Sequence, residues 1–360
     1  MADYSQYQGP NPEWEQFTQG TVLPPVGLAP GETLVDYQRS RNALREKDSR
    51  VEMERSGLSE KVSWEDVSIP TRDASTIPAR IYKTKRDSDG SATAPLPVYL
   101  FFHGGGYLFG SIESEDANCS RVVAMSPYDS VIVVHVNHRH TPAFKYPVPH
   151  HDAWDAFLWL DKNITSIGGD CNKVIVGGIS AGGGLAASVV LHAQELPSSG
   201  LNITVAGQLL LIPWLVHPKA YPFDMLASKE RSSFVQNSDA PILPLAQITI
   251  FTDALSGPDT DPTDIYLSPL FASDEKIRGM PKTVFVVAGM DPLRDEALLY
   301  ADKLKRNGVP AKVNIFPGLP HGFRRFGSLK ASARWDELIV EGIQWCLSDN
   351  LENSTQVELP

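Results

Sequence analysis

Six short apolar runs recur along the chain, and each predicts a β-strand because it is rich in Val, Ile, Leu or Phe. The runs are PLPVYLFF, SVIVVHV, NKVIVGG, AGQLLLIP, KTVFVVAG and AKVNIFPG. Their apolar residues are continuous rather than alternating, which is typical of parallel strands that are covered on both faces. We therefore expect a parallel sheet buried between two outer layers.

Amphipathic segments alternate with these runs and predict the covering helices. In the clearest of them, residues 291–310, Asp291 can cap the helix, Pro292 fits its first turn and Gly308 ends it. Further helical patterns are DAWDAFLWLDKN, ISAGGGLAASVVLHAQEL and ARWDELIVEGIQWCL. This alternation predicts an α/β fold with a mostly parallel central sheet flanked by helices.

Two segments, residues 1–50 and 215–250, fall outside the alternation. We interpret them as two parts of one helical cap over the sheet, which leaves residues 51–214 and 251–360 as the two parts of the α/β core. The alternative is a disordered tail and a long surface loop, because long loops are usually either functional or disordered.

The net charge of the chain limits the classes of binding partner, and its cysteines indicate the cellular compartment. A formal net charge of -11 argues against nucleic acid and anionic membranes as partners. No run of about 18 apolar residues predicts a membrane span, and the polar N-terminus lacks the pattern of a secretion signal. Cys119, Cys171 and Cys346 form no CxxC pair, so we expect the cytoplasm. A homodimer is left open.

A single serine lies among glycines where the third apolar run ends. Gly178-Ile179-Ser180-Ala181-Gly182 matches G-x-S-x-G between a predicted strand and a predicted helix. This setting suits a sharp turn that lifts a nucleophilic serine above the sheet, with helix N–H groups directed at it. A phosphate-binding loop is disfavoured because no Gly-Lys-[Ser/Thr] follows. We therefore predict that Ser180 is a nucleophile.

A second glycine-rich turn follows the first apolar run. In His103-Gly104-Gly105-Gly106, three successive glycines leave backbone N–H groups unobstructed by side chains. Together with the N–H of Ala181, the N–H groups of Gly104, Gly105 and Gly106 would form an oxyanion hole.

A nucleophilic serine also needs a base, which we expect to be His321. The chain order of such sites, serine then acid then histidine, leaves three of the nine histidines. His192 lies three turns along the helix that begins at Ser180, and His217 lies in the predicted cap. His321 instead lies in a Pro/Gly loop after the last apolar run, where catalytic groups collect in such sheets.

Three acids follow the fifth apolar run, and they are candidates to orient this base. Asp291 lies at the strand-to-helix turn, which favours the catalytic role, although its carboxylate could instead only cap the helix. Asp295 and Glu296 lie a turn further on, where an acid suits the helix dipole or pairs with Arg294.

Histidines are dense in NHRHTPAFKYPVPHH, residues 137–151, which raises a metal site as an alternative. No predicted helix brings them to the spacing of metal ligands with an acidic motif such as HExxH. We therefore expect no metal and no cofactor.

Four motifs in this order, HGGGY, GISAGG, DPLRDEA and HGF, resemble those of hormone-sensitive-lipase-like carboxylesterases (bacterial family IV type) of the α/β-hydrolase fold. The resemblance runs from about residue 60 to about residue 345. It implies a helical cap and a small-molecule ester as substrate. By matching motif, it implies a catalytic triad of Ser180, Asp291 and His321, and oxyanion donors at Gly105, Gly106 and Ala181.

The chain departs from this family pattern in two places. Ile179 stands where the family usually has an acid before the nucleophile, which removes a polar contact and bears on substrate choice. The segment NHRHTPAFKYPVP replaces the usual YRLAPEHPFPA, so that wall of the site differs.

Together, the motifs and the family resemblance predict a serine hydrolase that cleaves carboxylic esters of small to medium acyl chain through an acyl-enzyme. One alternative is an acyl- or thioester-processing hydrolase, or a tailoring hydrolase of a secondary metabolite, on the same fold. The other is a non-catalytic ligand-binding receptor, which the presence of all three triad residues disfavours. Four apolar residues flank the motifs and either line the substrate pocket or belong to the core: Tyr107, Leu108, Trp214 and Phe323.

Overall fold

One nine-stranded sheet forms the centre of the computed structural model, which describes residues 1–85, 94–127, 131–196 and 200–358. The spatial order of the strands is β1-β2-β4-β3-β5-β6-β7-β8-β9. In chain order they are β1 (Val62–Pro70), β2 (Thr76–Thr84), β3 (Leu96–Phe102), β4 (Ile132–Val136), β5 (Gly169–Ile179), β6 (Val205–Leu211), β7 (Lys282–Met290), β8 (Ala311–Pro320) and β9 (Ser354–Val357).

The strand pairing confirms the mostly parallel sheet. Only β2 runs antiparallel to its neighbours, β1 and β4, and every other pair is parallel. All six apolar runs are strands, from β3 to β8. The sequence analysis missed β1, β2 and β9. β1 is half-exposed and interrupted by acids, and β9 is a four-residue edge strand with every residue exposed, so neither has a continuous apolar run.

Helices cover both faces of the sheet in the described ranges. They are α1 (Pro12–Gly20), α2 (Leu34–Arg55), α3 (Leu58–Lys61), α4 (Asp116–Met125), α5 (Val148–Asn163), α6 (Ala181–Glu195), α7 (Ser233–Gln236), α8 (Leu245–Leu255), α9 (Asp274–Ile277), α10 (Arg294–Arg306) and α11 (Lys330–Leu347). None of these helices has both the length and the apolar composition that spanning a bilayer requires.

The alternation of side chains along β5 explains why two apolar layers form. Val174 and Val176 belong to the core shared with α5, α6 and α10, whereas Ile175 between them belongs to the core shared with α4 and α11. Successive residues of a strand point to opposite faces, so one continuous apolar run supplies both cores. The loops that follow β3, β5, β7 and β8 then meet at one edge of the sheet.

The first 50 residues pack against distant parts of the chain. Ala2 forms a β-bridge with Leu226, and the side chain of Asn11 caps α1 and donates to the carbonyl of Pro317 at 2.9 Å. Tyr37 on α2 donates to the side chain of Gln247 on α8 at 2.9 Å. The N-terminal segment and the segment around residues 215–250 are therefore in direct contact.

Candidate active site

Ser180 occupies the sharp turn between β5 and α6. Its backbone has φ 57° and ψ -118°, a conformation that costs energy for a residue with a side chain. The turn is tight because Gly178 and Gly182 approach other backbone atoms: a Cβ on Gly182 would lie 2.1 Å from the carbonyl oxygen of Phe102. Glycines on both sides of the serine are therefore a steric requirement of this turn.

Three predicted residues come together above the sheet edge. The Oγ of Ser180 lies 3.0 Å from Nε2 of His321, and Nδ1 of His321 lies 2.7 Å from Oδ2 of Asp291. Asp291 is 1% exposed, whereas Ser180 and His321 are 7% and 8% exposed at the floor of a cavity. The geometry permits Ser180 to donate to His321 and His321 to donate to Asp291, which is the relay that a nucleophilic serine requires.

The carboxylate of Asp291 supports both a turn and the imidazole. Its Oδ1 accepts a hydrogen bond from the backbone N–H of Leu293 at 2.9 Å, while Oδ2 contacts His321. Helix α10 begins at Arg294, with Leu293 at the N-cap position. The predicted cap role for Asp291 is thus wrong by two positions, because the chain forms a short turn before the helix starts.

The other two acids of this motif serve the surrounding structure. Asp295 pairs with Arg294 at 2.7 Å in a fully buried contact. This is one of the two roles that the sequence analysis considered for it. Oε1 of Glu296 accepts from the backbone N–H groups of Leu215 and Val216, at 2.6 and 3.1 Å. Glu296 therefore fixes the loop that leaves β6, a role that sequence reasoning missed because its partners are 80 residues away.

The glycine loop after β3 lies beside Ser180. A Cβ on Gly104 would lie 3.3 Å from the Cβ of Ser180, and Gly105 and Gly106 have φ of 137° and 61°. Among the described residues, the backbone N–H groups of Gly105 and Gly106 donate to no protein atom. Ala181 is the first residue of α6, so its N–H has no acceptor within the helix. These three donors are free to bind a substrate oxygen.

Helix α2 holds this glycine loop from outside. Asn42 accepts from the N–H of Gly110 at 2.9 Å and donates to its carbonyl at 3.1 Å. Arg45 donates to the carbonyl of Gly104 at 3.1 Å and to Glu115 at 2.8 Å, and Gln38 donates to the carbonyl of Leu108 at 2.6 Å. Sequence reasoning missed these residues because α2 has no strong apolar stripe that would have placed it.

A cavity of about 680 Å³ opens above Ser180 and His321. Most of its walls near the serine are apolar, and the side chains come from the segments that the sequence analysis assigned to a cap as well as from the core: Val26, Tyr37, Ile179, Ile242, Ile248, Phe251 and Leu293. Ile179, the residue that departs from the family pattern, thus faces the cavity.

Of the four predicted pocket residues, only Trp214 lines this cavity. Tyr107, Leu108 and Phe323 are core residues, each at most 2% exposed. The ring of Tyr107 packs against those of His150 and Trp214, and that of Phe323 against those of Phe316 and Trp335. The pocket prediction was therefore wrong for these three residues, because closeness in sequence to a motif does not fix the direction of a side chain.

Two histidines of the dense segment, His138 and His140, lie together with His103 of the first glycine-rich turn. One ring nitrogen from each of His103, His138 and His140 lies within 4.8 Å of the others. Burial lowers the pKa of all three, so they pack as neutral imidazoles. The rings of His103 and His138 stack with centroids 4.7 Å apart and planes inclined by 17°, an arrangement that does not direct both nitrogens at one point. That no metal binds here stays a prediction.

Known proteins resemble the chain over most of its length. Residues 99–325 match a family described by its α/β hydrolase fold. Versiconal hemiacetal acetate esterase of Dothistroma septosporum is 32% identical over 284 residues, which are 79% of this chain and 82% of that protein. Ethyl acetate hydrolase of Pseudomonas putida is 30% identical over 285 residues, 78% of this chain and 81% of that protein. The solved structure of vibralactone cyclase has a TM-score of 0.82 at 27% identity and covers 95% of this chain and 96% of its own.

Proposed function

This chain belongs to the α/β-hydrolase family and is a carboxylic-ester hydrolase, and we propose that it cleaves esters of small to medium acyl chain with Ser180 as nucleophile. The observation that carries the proposal is the hydrogen-bonded series from Ser180 through His321 to Asp291. It lies at the floor of a cavity, beside the N–H groups of Gly105, Gly106 and Ala181, for which no acceptor is found among the described residues.

In the acylation step, Oγ of Ser180 attacks the ester carbonyl carbon while Nε2 of His321 takes the hydroxyl proton. The negative charge that develops on the carbonyl oxygen accepts hydrogen bonds from the N–H groups of Gly105, Gly106 and Ala181. Asp291 stabilises the imidazolium through Nδ1. When the tetrahedral intermediate collapses, the bond to the alcohol oxygen breaks and His321 returns the proton to that oxygen.

Deacylation repeats these steps with water as the nucleophile. His321 takes a proton from water, the resulting hydroxide adds to the acyl-enzyme carbonyl, and Oγ of Ser180 leaves with the proton. The carboxylic acid is released and the serine is regenerated. The ester and one water molecule supply every atom of the acid and alcohol products.

The segments that we assigned to a cap support the limit on acyl chain length. Residues 1–50 contribute Val26 and Tyr37 to the cavity, and residues 215–250 contribute Ile242 and Ile248. Because these segments touch each other above the site, we propose that they close the cavity as one cap over the core formed by residues 51–214 and 251–360. The apolar part of this wall favours each further CH₂ until the space beside it is filled.

Ser180→Ala tests the proposal directly. With p-nitrophenyl butyrate we expect kcat to fall by at least about a thousandfold, and a serine-directed organophosphate should no longer label the protein. His321→Ala and Asp291→Asn should also be crippling, and either change combined with Ser180→Ala should cost little more, because the three residues act as a unit.

Two matched variants control for the loss of a hydroxyl and of an imidazole. Ser188→Ala removes a hydroxyl from a buried position of the same helix α6, and His192→Gln removes a ring stacked between Trp154 and Tyr266. Both should keep turnover within a few-fold of the unaltered protein. A folded Ser180→Ala protein that retains more than a tenth of kcat would refute the proposed nucleophile.

A second candidate is acyl transfer to a hydroxyl other than water. The observation that favours it is the structural similarity to vibralactone cyclase. The same acyl-enzyme would form, but a hydroxyl held in the cavity would add to its carbonyl carbon in place of water. Incubation of one ester in H₂¹⁸O separates the candidates, because hydrolysis puts the label in the acid product and transfer does not.

A further inference from the structure

The guanidinium of Arg325 lines the wall of the cavity and is exposed there. Arg325 ends the 3-10 turn Phe323–Arg325, four residues after His321. Its side chain folds back toward Gly322: Nε and Nη2 both lie 3.9 Å from the position that a Cβ on Gly322 would take. Among the described residues it makes no hydrogen bond or ion pair, although the next residue back, Arg324, pairs with Asp336 at 2.7 Å.

Two arginines of α2, Arg41 and Arg45, line the same cavity. Arg45 is paired with Glu115, whereas Arg41 donates only to the carbonyl of Pro25, and its buried Nε has no partner among the described residues. Desolvation by the surrounding protein, followed by the charge of Arg45, lowers the pKa of Arg325 to about 10. Arg325 is thus still charged at neutral pH, with two like charges beside it.

Two carboxylates of this wall, those of Asp48 and Glu115, act in the opposite direction. Asp48, also on α2, lines the cavity, and its charge favours the protonated form of Arg325. Its side chain is not in hydrogen-bond contact with Arg325 within the described part of the chain. Five arginines line the cavity: Arg45, Arg55 and Arg324 have carboxylate partners, whereas Arg41 and Arg325 have none among the described residues.

Arg325 is exposed at the cavity wall, so its guanidinium is accessible to an anionic group that enters the cavity. The planar, fork-shaped donor set of arginine matches a carboxylate better than any other side chain does. We propose that the ester substrate of this enzyme carries a carboxylate group and that Arg325, assisted by Arg41, binds it beside the reacting carbonyl. This inference rests on the proposed function of the same cavity.

The proposal predicts a preference for anionic over neutral esters that depends on Arg325. Two substrate pairs separate the side of the ester that carries the charge. Mono-p-nitrophenyl glutarate and p-nitrophenyl pentanoate differ in a carboxylate on the acyl part, and 4-acetoxybenzoate and 4-acetoxybenzamide differ in one on the alcohol part. In at least one pair, the unaltered enzyme should have the higher kcat/KM for the anionic member at low ionic strength, and salt should reduce the difference.

Arg325→Gln should lower kcat/KM for that anionic member by about 10- to 100-fold, because a charge-assisted hydrogen bond is lost. The neutral member should stay within about threefold. Asp48→Asn should shift the same ratio in the opposite direction, since it removes a competing negative charge. Arg278→Gln, an exposed arginine outside the cavity, should leave the ratio unchanged and controls for net charge.

A binding measurement separates this inference from the proposed catalysis. Ser180→Ala should bind mono-p-nitrophenyl glutarate or 4-acetoxybenzoate more tightly than the neutral partner, and the double variant Ser180→Ala/Arg325→Gln should not. Equal kcat/KM for charged and neutral members of both pairs, or an Arg325→Gln ratio equal to that of the unaltered enzyme, overturns the carboxylate site. Absence of turnover on every ester, with selective binding retained, contradicts the proposed function and leaves the carboxylate site standing.

Discussion

Glu296 offers a test in which one buried side chain has two separable effects. Its Oε1 accepts the backbone N–H groups of Leu215 and Val216, which follow Trp214 in the cavity wall. Glu296→Ala leaves both N–H groups buried without an acceptor, at about 1–3 kcal/mol each, so we expect a loss of about 2–6 kcal/mol in the free energy of unfolding. Glu296→Gln retains an oxygen acceptor of the same shape and should avoid this loss.

The pH dependence of the same pair reports the protonation of Glu296. Burial raises the pKa of its carboxyl well above the ordinary value of 4.5, despite the two N–H donors that favour the anion. Between 4.5 and that raised pKa the folded protein holds a proton that the unfolded chain releases, so the contribution of this group is complete below pH 4.5 and declines as pH rises. Glutamine does not titrate, so Glu296→Gln should become more stable relative to the unaltered protein by at most about 1.4 kcal/mol per pH unit.

Urea unfolding followed by tryptophan fluorescence at pH 5, 6, 7 and 8 measures both effects. Glu341→Gln, on the exposed face of α11, controls for a change of surface charge. The reasoning about protonation is refuted if the difference between Glu296→Gln and the unaltered protein does not change with pH. The reasoning about the two hydrogen bonds is refuted if Glu296→Ala is as stable as Glu296→Gln.

Two further predictions concern the cavity and the glycine loop. For p-nitrophenyl esters, kcat/KM should rise by up to about fourfold per CH₂ from acetyl to butyryl or hexanoyl, because each buried CH₂ contributes about 0.8 kcal/mol, and it should fall for longer chains. A series of esters of increasing chain length measures this, and a maximum at twelve carbons would contradict the closed cap. Asn42→Ala removes both hydrogen bonds to Gly110, so we expect kcat for p-nitrophenyl butyrate to fall by about tenfold with little change in KM, because a looser loop presents its N–H groups less well. Arg39→Ala on the exposed face of the same helix should leave kcat unchanged, and an Asn42→Ala enzyme with normal kcat would show that the loop needs no support from α2.

The parallel strands were predictable because each carries its own local signal. A buried parallel strand must be apolar on both faces, and β3 to β8 are. Strand β1, with polar residues at alternate positions, and the exposed edge strand β9 depend on neighbours that are distant in sequence. Their formation is decided by the tertiary structure, which a local pattern does not contain.

The positions of Ser180, Asp291 and His321 were predictable for a related reason. Each lies at a turn that follows a recognisable strand, and the ends of parallel strands meet at one edge of the sheet. The cavity walls follow no such rule, so three of the four predicted pocket residues proved to be core. Arg325 and Asn42 act through contacts with other segments, and no motif marks either residue.

The helix that braces the glycine loop lies outside the part of the chain that matches the family, which begins at residue 99. Val26, Tyr37 and Arg41, which help to wall the cavity, precede that boundary as well. Mutations before residue 99 can therefore reshape which ester is accepted while the reacting groups remain fixed.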